Sequence, residues 1–157
     1  MIDISHVSDA AFMKVLELSK APVVATHSSL RHFTPGWERN VSDEMLIALA
    51  ENGGVIQLCF GSDFVANRKD NPDIEVSVKN VVDHIDRVRD LVGIDHVGFG
   101  SDFDGEVPLP EDINDVSKFP NLIEELLIRG YTESEIDKIL NENILRVWKE
   151  VRALADV

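Results

Sequence analysis

Sulfur, aromatic rings and positive charge are all scarce in this 157-residue chain. It has one cysteine, ten aromatic side chains (seven Phe, two Trp, one Tyr), and 15 Lys and Arg against 29 Asp and Glu, a formal net charge of -14. A single thiol excludes an internal disulfide, and Cys59, set within an apolar run, reads as a buried core thiol. The acidity excludes phosphate backbones and anionic lipid surfaces as natural partners, because the few basic residues are scattered rather than gathered into a stripe. No apolar stretch approaches the ~20 residues of a spanning helix, and the N-terminus lacks a basic segment followed by an apolar core. Neither nucleic acid nor membrane is expected as a partner, and cytoplasm is the expected compartment. Asn40-Val41-Ser42 matches a glycosylation acceptor and reads as a chance match.

What is present is enough apolar residue for one real core. A chain of this size buries roughly 70% of its unfolded surface, so residues 1–157 are expected to form a single folding unit. Four short apolar runs, Ile2–Ser5, Pro22–Thr26, Val55–Phe60 and His96–Gly100, are strand candidates. Their near-continuous hydrophobicity suits strands buried on both faces of a parallel sheet. Helical patterns separate them. One is capped by Ser8, one runs from Ser42 to Asn52-Gly53-Gly54, and one from about Glu75 to Leu91 is closed by Gly93. Beyond the fourth run only helices are predicted. Pro120 sits in the first turn of one that ends at Gly130, a Thr132/Glu135 capping box opens a short one, and Ile144–Leu154 is the last. Glu106–Asp115 reads as a solvated acidic loop.

Alternating strands and helices imply an α/β fold with a parallel sheet and right-handed crossovers. Two architectures satisfy this pattern, a small doubly wound sheet or half of an eight-stranded β/α barrel. A whole barrel takes ~250 residues.

Chemistry in parallel α/β folds gathers where strands end. The first run ends in Ser5-His6, the second in Thr26-His27-Ser28-Ser29, and the fourth in Gly100-Ser101-Asp102-Phe103-Asp104-Gly105. Two imidazoles and at least one carboxylate thus reach one rim on independent strands, a donor set suited to zinc or a similar divalent ion. Asp102 and Asp104 have a plainer alternative reading as turn residues, since Asp-Gly is a common turn pair. His84 falls inside the third helix and reads as a packed or surface helix residue. His32 and His96 flank strands or lie in loops and are given no direct role. Arg39, in the long segment after the second strand, is suited to gripping a substrate carboxylate.

Several of these segments together resemble the membrane dipeptidase (renal dipeptidase) family of zinc metallopeptidases. They are Asp3-Ile4-Ser5-His6, Ala21 through Ser29, Arg39-Asn40 with Asp43, Gly98 through Gly105, and Asn143 with Leu145-Arg146-Val147. The resemblance implies a β/α barrel whose two zinc ions hydrolyse dipeptides. It implies that His6 and His27 bind one zinc, that Asp102 completes the other, and that Arg39 holds the substrate's terminal carboxylate. The family's His-x-Asp pair, bridging glutamate and a further histidine belong to an N-terminal half without counterpart here. The chain is therefore expected to be the C-terminal half of such a barrel, with a partial ligand set and little activity alone. Its expected partners are a dipeptide substrate and either the missing half or a second copy, because a cut barrel would leave Val24, Ile56 or Leu58 uncovered on an open sheet.

Two rivals remain at this point. Asp102-Phe103-Asp104-Gly105 also resembles the nucleophile motif of haloacid-dehalogenase-type phosphatases, although Glu106 replaces its threonine and no later strand follows. The other rival is a non-catalytic half-barrel that serves as an interaction or assembly module.

Overall fold

The computed structural model describes residues 1–155. Three parallel strands, β1 (Val24–Ser28), β2 (Val55–Cys59) and β3 (Val97–Ser101), lie in the order β1-β2-β3. Ile56 pairs with Ala25 on one side and Val97 on the other. The strand order follows the chain order with no reversal.

The expected strand over Ile2–Ser5 is reduced to one bridge, Asp3 to Val24. Its ladder starts normally, with the Val24 N–H donating to the Ile2 carbonyl (3.0 Å) and the Ile4 N–H to the Val24 carbonyl (2.8 Å). The next donor, the Thr26 N–H, turns instead to the Asp3 side chain (3.0 Å), and at His6 the backbone swings to φ 64°. A carboxylate competing for the ladder thus ends the strand where the apolar pattern alone would continue it.

Helices follow as their caps dictate. The Ser8 and Ser42 hydroxyls cap α1 (Asp9–Leu18) and α2 (Asp43–Glu51), and a short α3 (Ser62–Val65) follows β2. The third expected helix begins three residues late, as α4 (Val78–Val92), because a Ser77/Asn80 capping box fixes its start. Asp112 also accepts the Val78 N–H (3.0 Å). The acidic segment Glu106–Asp115 is therefore more than a solvated loop: it caps α4, and its Ile113 is buried. α5 (Phe119–Ile128) carries Pro120 in its first turn. α6 (Glu133–Asp137), a π-helical turn (Lys138–Glu142) and α7 (Asn143–Ala155) then run on without the expected break.

Ile56, Leu58 and Val97 join Val81, Ile85, Leu122 and Leu126 in the core between sheet and helices. The expectation of an uncovered sheet face is overturned, since Val24, Ile56 and Leu58 are each no more than 1% exposed. Ile56 and Leu58 point into the helix-covered core. Curling of the sheet hides part of the opposite face. A Cβ on Gly100 would stand 2.2 Å from the Thr26 carbonyl oxygen, so β3 leans over β2 toward β1, a close approach that only glycine allows. The π-helical turn approaches β3 as well, with the Ile139 carbonyl 3.2 Å from a Cβ placed on Gly98.

Candidate metal and substrate site

At the C-terminal ends of the strands, His6 and His27 meet with their Nε2 atoms 2.8 Å apart. The partners of His27 fix its tautomer. Thr26 Oγ1 donates to Asp3 Oδ2 (2.6 Å) and so accepts from His27 Nδ1 (2.7 Å), which places the proton on Nδ1 and leaves Nε2 with a bare lone pair. Partial desolvation of the exposed Asp3 is outweighed by hydrogen bonds from Thr26 and Ser5, which hold its carboxyl below the usual range and keep it ionised. Metal-ligating histidines are commonly oriented by a carboxylate on the far ring nitrogen, and here the Thr26 hydroxyl relays that contact from Asp3. Ser5 secures the other approach, accepting the His27 N–H (3.1 Å) and contacting the Ser28 hydroxyl (3.1 Å).

His6 Nε2 faces two demands. Arg39 Nη2 points an N–H at it from 3.2 Å while His27 Nε2 offers a lone pair from the other side. One ring nitrogen either donates or accepts, so one of these contacts is unfavourable in any neutral tautomer. Partial desolvation of this exposed ring first, then the neighbouring Arg39 and His27, lowers the His6 pKa against the pull of Asp102 and Asp3. The neutral ring is thereby favoured. Two neutral imidazoles with converging nitrogens resolve the conflict best around a cation. Tetrahedral zinc at ~2.0–2.1 Å from each would set the nitrogens about 3.3 Å apart, a small opening from the present 2.8 Å.

Arg39 is half-buried. Its Nη2 also donates to the His27 carbonyl, its Nη1 donates to Ser28 Oγ (3.1 Å), and its guanidinium lies 5.4 Å from the Phe64 ring centre. Three of its five N–H groups are thus committed within the chain, while Nε is buried without a partner.

Asp102 ends β3 on the same rim, with φ 70°. Gly105 makes room for its carboxylate, since a Cβ there would stand 2.6 Å from Oδ1. The intervening Phe103 packs against Phe60 and Phe119, ring centres 5.8 and 6.1 Å away, and anchors the turn. Cys59, at the end of β2, directs its thiol to Asp102 Oδ2 at 3.6 Å. Burial pushes that thiol up to about 11; the Gly61 N–H opposes the shift and Asp102 adds to it, so the thiol stays protonated and able to donate. Positive φ at both His6 and Asp102 places backbone strain of about 1 kcal/mol per residue at two candidate ligands.

His6 and His27 are thus in contact and Asp102 shares their rim. Among the described residues no three His, Cys, Asp or Glu side chains converge on one point. The donors present suit part of a metal site. Asp3, Thr26, Ser28 and Cys59 were missed as contributors. Asp3 and Thr26 did carry a signal, a carboxylate and a hydroxyl at the ends of neighbouring apolar runs. His84 is fully buried, accepting the Leu30 N–H at Nδ1 (3.0 Å) and donating from Nε2 to the Val65 carbonyl (3.1 Å). His96 binds the Gly54 carbonyl (2.8 Å) at the opposite end of the sheet. Asn40 is buried, its amide donating to Thr34 and to the Phe64 carbonyl, which closes it to glycosylation in the folded chain.

A model of the membrane dipeptidase family (peptidase family M19) matches residues 1–157. The chain is 44% identical over 155 residues to the dipeptidase ataJ of Aspergillus terreus, covering 99% of this chain and 37% of that one. It superposes with a TM-score of 0.86 on a metallopeptidase of Rhodobacter sphaeroides crystallised with a phosphinate mimic of the dipeptide L-Ala-D-Ala. That pair is 36% identical over 96% of this chain and 42% of the other. With the probable dipeptidase PvdM of Pseudomonas aeruginosa the TM-score is 0.89 at 28% identity, over 98% and 50% of the two chains. The chain thus spans half or less of the length of these relatives. From the Asp3 segment to the last helix, it belongs to the membrane dipeptidase family.

Proposed function

We propose that this chain is the C-terminal half of a (β/α)8-barrel metallo-dipeptidase, carrying part of a binuclear zinc site and needing complementary residues for full activity. The sequential strand order supports the barrel, because a doubly wound sheet reverses its order at a switch point. The meeting of His6 and His27, with the proton held away from His27 Nε2 by Thr26 and Asp3, carries the metal reading. His6 and His27 would hold one zinc and Asp102 would contribute to a second. Bound there, zinc would supply an ionised water and polarise the scissile carbonyl.

The chain's own residues have separable tasks. Asp3 and Thr26 keep the His27 proton on Nδ1. Cys59 donates to Asp102 and so restricts its rotation. Arg39, with one Nη1 N–H uncommitted, orients the substrate's terminal carboxylate.

Calorimetric titration with Zn²⁺ tests this reading. Two imidazoles and one carboxylate give weak binding, and dipeptide hydrolysis by the chain alone stays near background, since losing part of a ligand set commonly costs orders of magnitude. Co-expression with the N-terminal half of a family member raises hydrolysis well above that background, and His27→Ala abolishes the gain. Tight binding of two ions per chain, or robust hydrolysis by the 157-residue protein alone that is lost in His27→Ala, overturns the half-site argument. A second copy in place of the complementary half would show as a dimer in light scattering.

A further inference from the structure

Beside Arg39 the rim opens into a groove of about 460 Å³ lined by Gly36, Trp37, Glu38, Arg39 and Lys69. Trp37 and Lys69 also line a neighbouring hollow of about 380 Å³, together with Asp63, Arg68 and Pro72. Trp37 therefore borders both spaces. Phe64 sets its position, meeting Trp37 edge-on at 5.7 Å while lying 5.4 Å from the Arg39 guanidinium. One aromatic side chain thus ties the groove to the candidate site.

The charges here run against those of the chain. A protein with a net charge of -14 places three cations, Arg39, Arg68 and Lys69, around one tryptophan, facing two carboxylates. Asp63 is already taken by Arg68 at 3.2 Å, and Lys69 is in no ion pair among the described residues. Arg68 hydrogen-bonds Asp63 through Nη1, which leaves its Nη2 without a partner among the described residues. Uncommitted ammonium and guanidinium donors beside an aromatic wall suit an anion carried on a short aliphatic stem.

We propose that this groove, together with the hollow that shares Trp37 and Lys69 with it, selects dipeptides bearing a carboxylate side chain, Asp or Glu. Lys69 and Arg68 receive the side-chain carboxylate, Trp37 covers its methylenes, and Arg39 takes the terminal carboxylate. The inference rests on the dipeptidase reading and adds a substrate class to it. The groove is built wholly from this chain, so its selectivity is measurable as binding, without turnover.

Of the two tryptophans, Trp148 lies on α7, so Trp148→Phe leaves Trp37 as the reporter. Its fluorescence is titrated with Ala-Asp, Ala-Asn, Ala-Ala and glutarate. Ala-Asp is expected to act at several-fold lower concentration than Ala-Asn. Lys69→Ala should shrink that preference about fivefold, as suits one partly exposed charge contact, and Lys69→Arg should restore it. Equal response to Ala-Asp and Ala-Asn, an unchanged preference in Lys69→Ala, or no response to any ligand overturns the selectivity. Glutarate acting as strongly as Ala-Asp, with the same dependence on Lys69, sustains an anion-selective groove and sinks the dipeptide reading. Equal binding of all three dipeptides does the reverse.

Discussion

The two ends of the sheet solve opposite problems. At the N-terminal ends of the strands, side chains arrive as matched partners for backbone groups. The Asn143 amide donates to the Ile94 and Val97 carbonyls, both at 2.8 Å. Arg146 reaches the Gly53 and Asp95 carbonyls at 2.8 and 2.9 Å, and Asn52 accepts the Val23 N–H at 2.9 Å. At the C-terminal ends, His6 Nε2 cannot satisfy both Arg39 and His27, two candidate ligands have positive φ, and the Arg39 Nε–H has no acceptor. One end is arranged for stability, whereas the other holds groups in unfavourable positions that a ligand would relieve.

The largest predicted effect lies in the layer that supports the rim. Buried His84 joins the segment after β1 to the end of α3, and it does so only when neutral, because Nδ1 must accept from Leu30. Burial lowers its folded pKa to about 4 from an unfolded value of 6.5. Its contribution is therefore complete above pH 6.5 and is lost as pH falls toward 4, where the unfolded chain takes up a proton that the folded chain refuses. The loss reaches about 3 kcal/mol. Urea midpoints at pH 7 and pH 4 check this against His84→Gln, which should be less stable at pH 7 and flatter across that window. An equal acid loss in both proteins assigns the effect to carboxylates elsewhere.

Next in size is the floor. Asn143→Ala leaves two carbonyls without their donor and opens a cavity at a buried position, and should cost about 2 kcal/mol in urea unfolding. A loss below about 0.5 kcal/mol would mean that water or a shifted α7 replaces the amide, and that the contrast between the two ends is weaker than the hydrogen bonds imply.

Much of this arrangement is legible in the sequence where a local rule decides the outcome. Ser8, Ser42 and the Thr132/Glu135 box mark helix starts because capping depends on neighbours within four residues. Gly93 and Gly130 mark helix ends, with φ 95° and 83°. His6, His27, Arg39 and Asp102 stand out because strand ends of a parallel sheet share a rim. The failures are long-range. Ile2–Ser5 looks like a strand until the Asp3 carboxylate, 23 residues from Thr26, takes over the ladder donor. The covered sheet face depends on Gly100 meeting Thr26 across an intervening strand, which no periodicity reports. Cys59 reads as a core thiol, and it is one, yet its contact with Asp102 appears only once two strands are in register.

The smallest predicted effect has the opposite sign from the others, which makes it the sharpest test of the comparison. His6 combines a φ of 64° with a ring nitrogen that cannot satisfy both Arg39 and His27. Replacing it by glycine removes the conflicting contact and places the residue best suited to a left-handed backbone there, a gain of about 1 kcal/mol before the greater freedom of glycine in the unfolded chain is subtracted. The net expectation for His6→Gly in metal-free buffer is a stability equal to the parent or about 0.5 kcal/mol higher, together with weaker zinc binding. His6 is exposed, and exposed substitutions ordinarily stay within about 0.5 kcal/mol, so a clear loss is the informative outcome. A loss above about 1 kcal/mol for His6→Gly would show that the rim histidine braces the fold as Asn143 does, and the two ends of the sheet would then differ in their residues but not in their physical role.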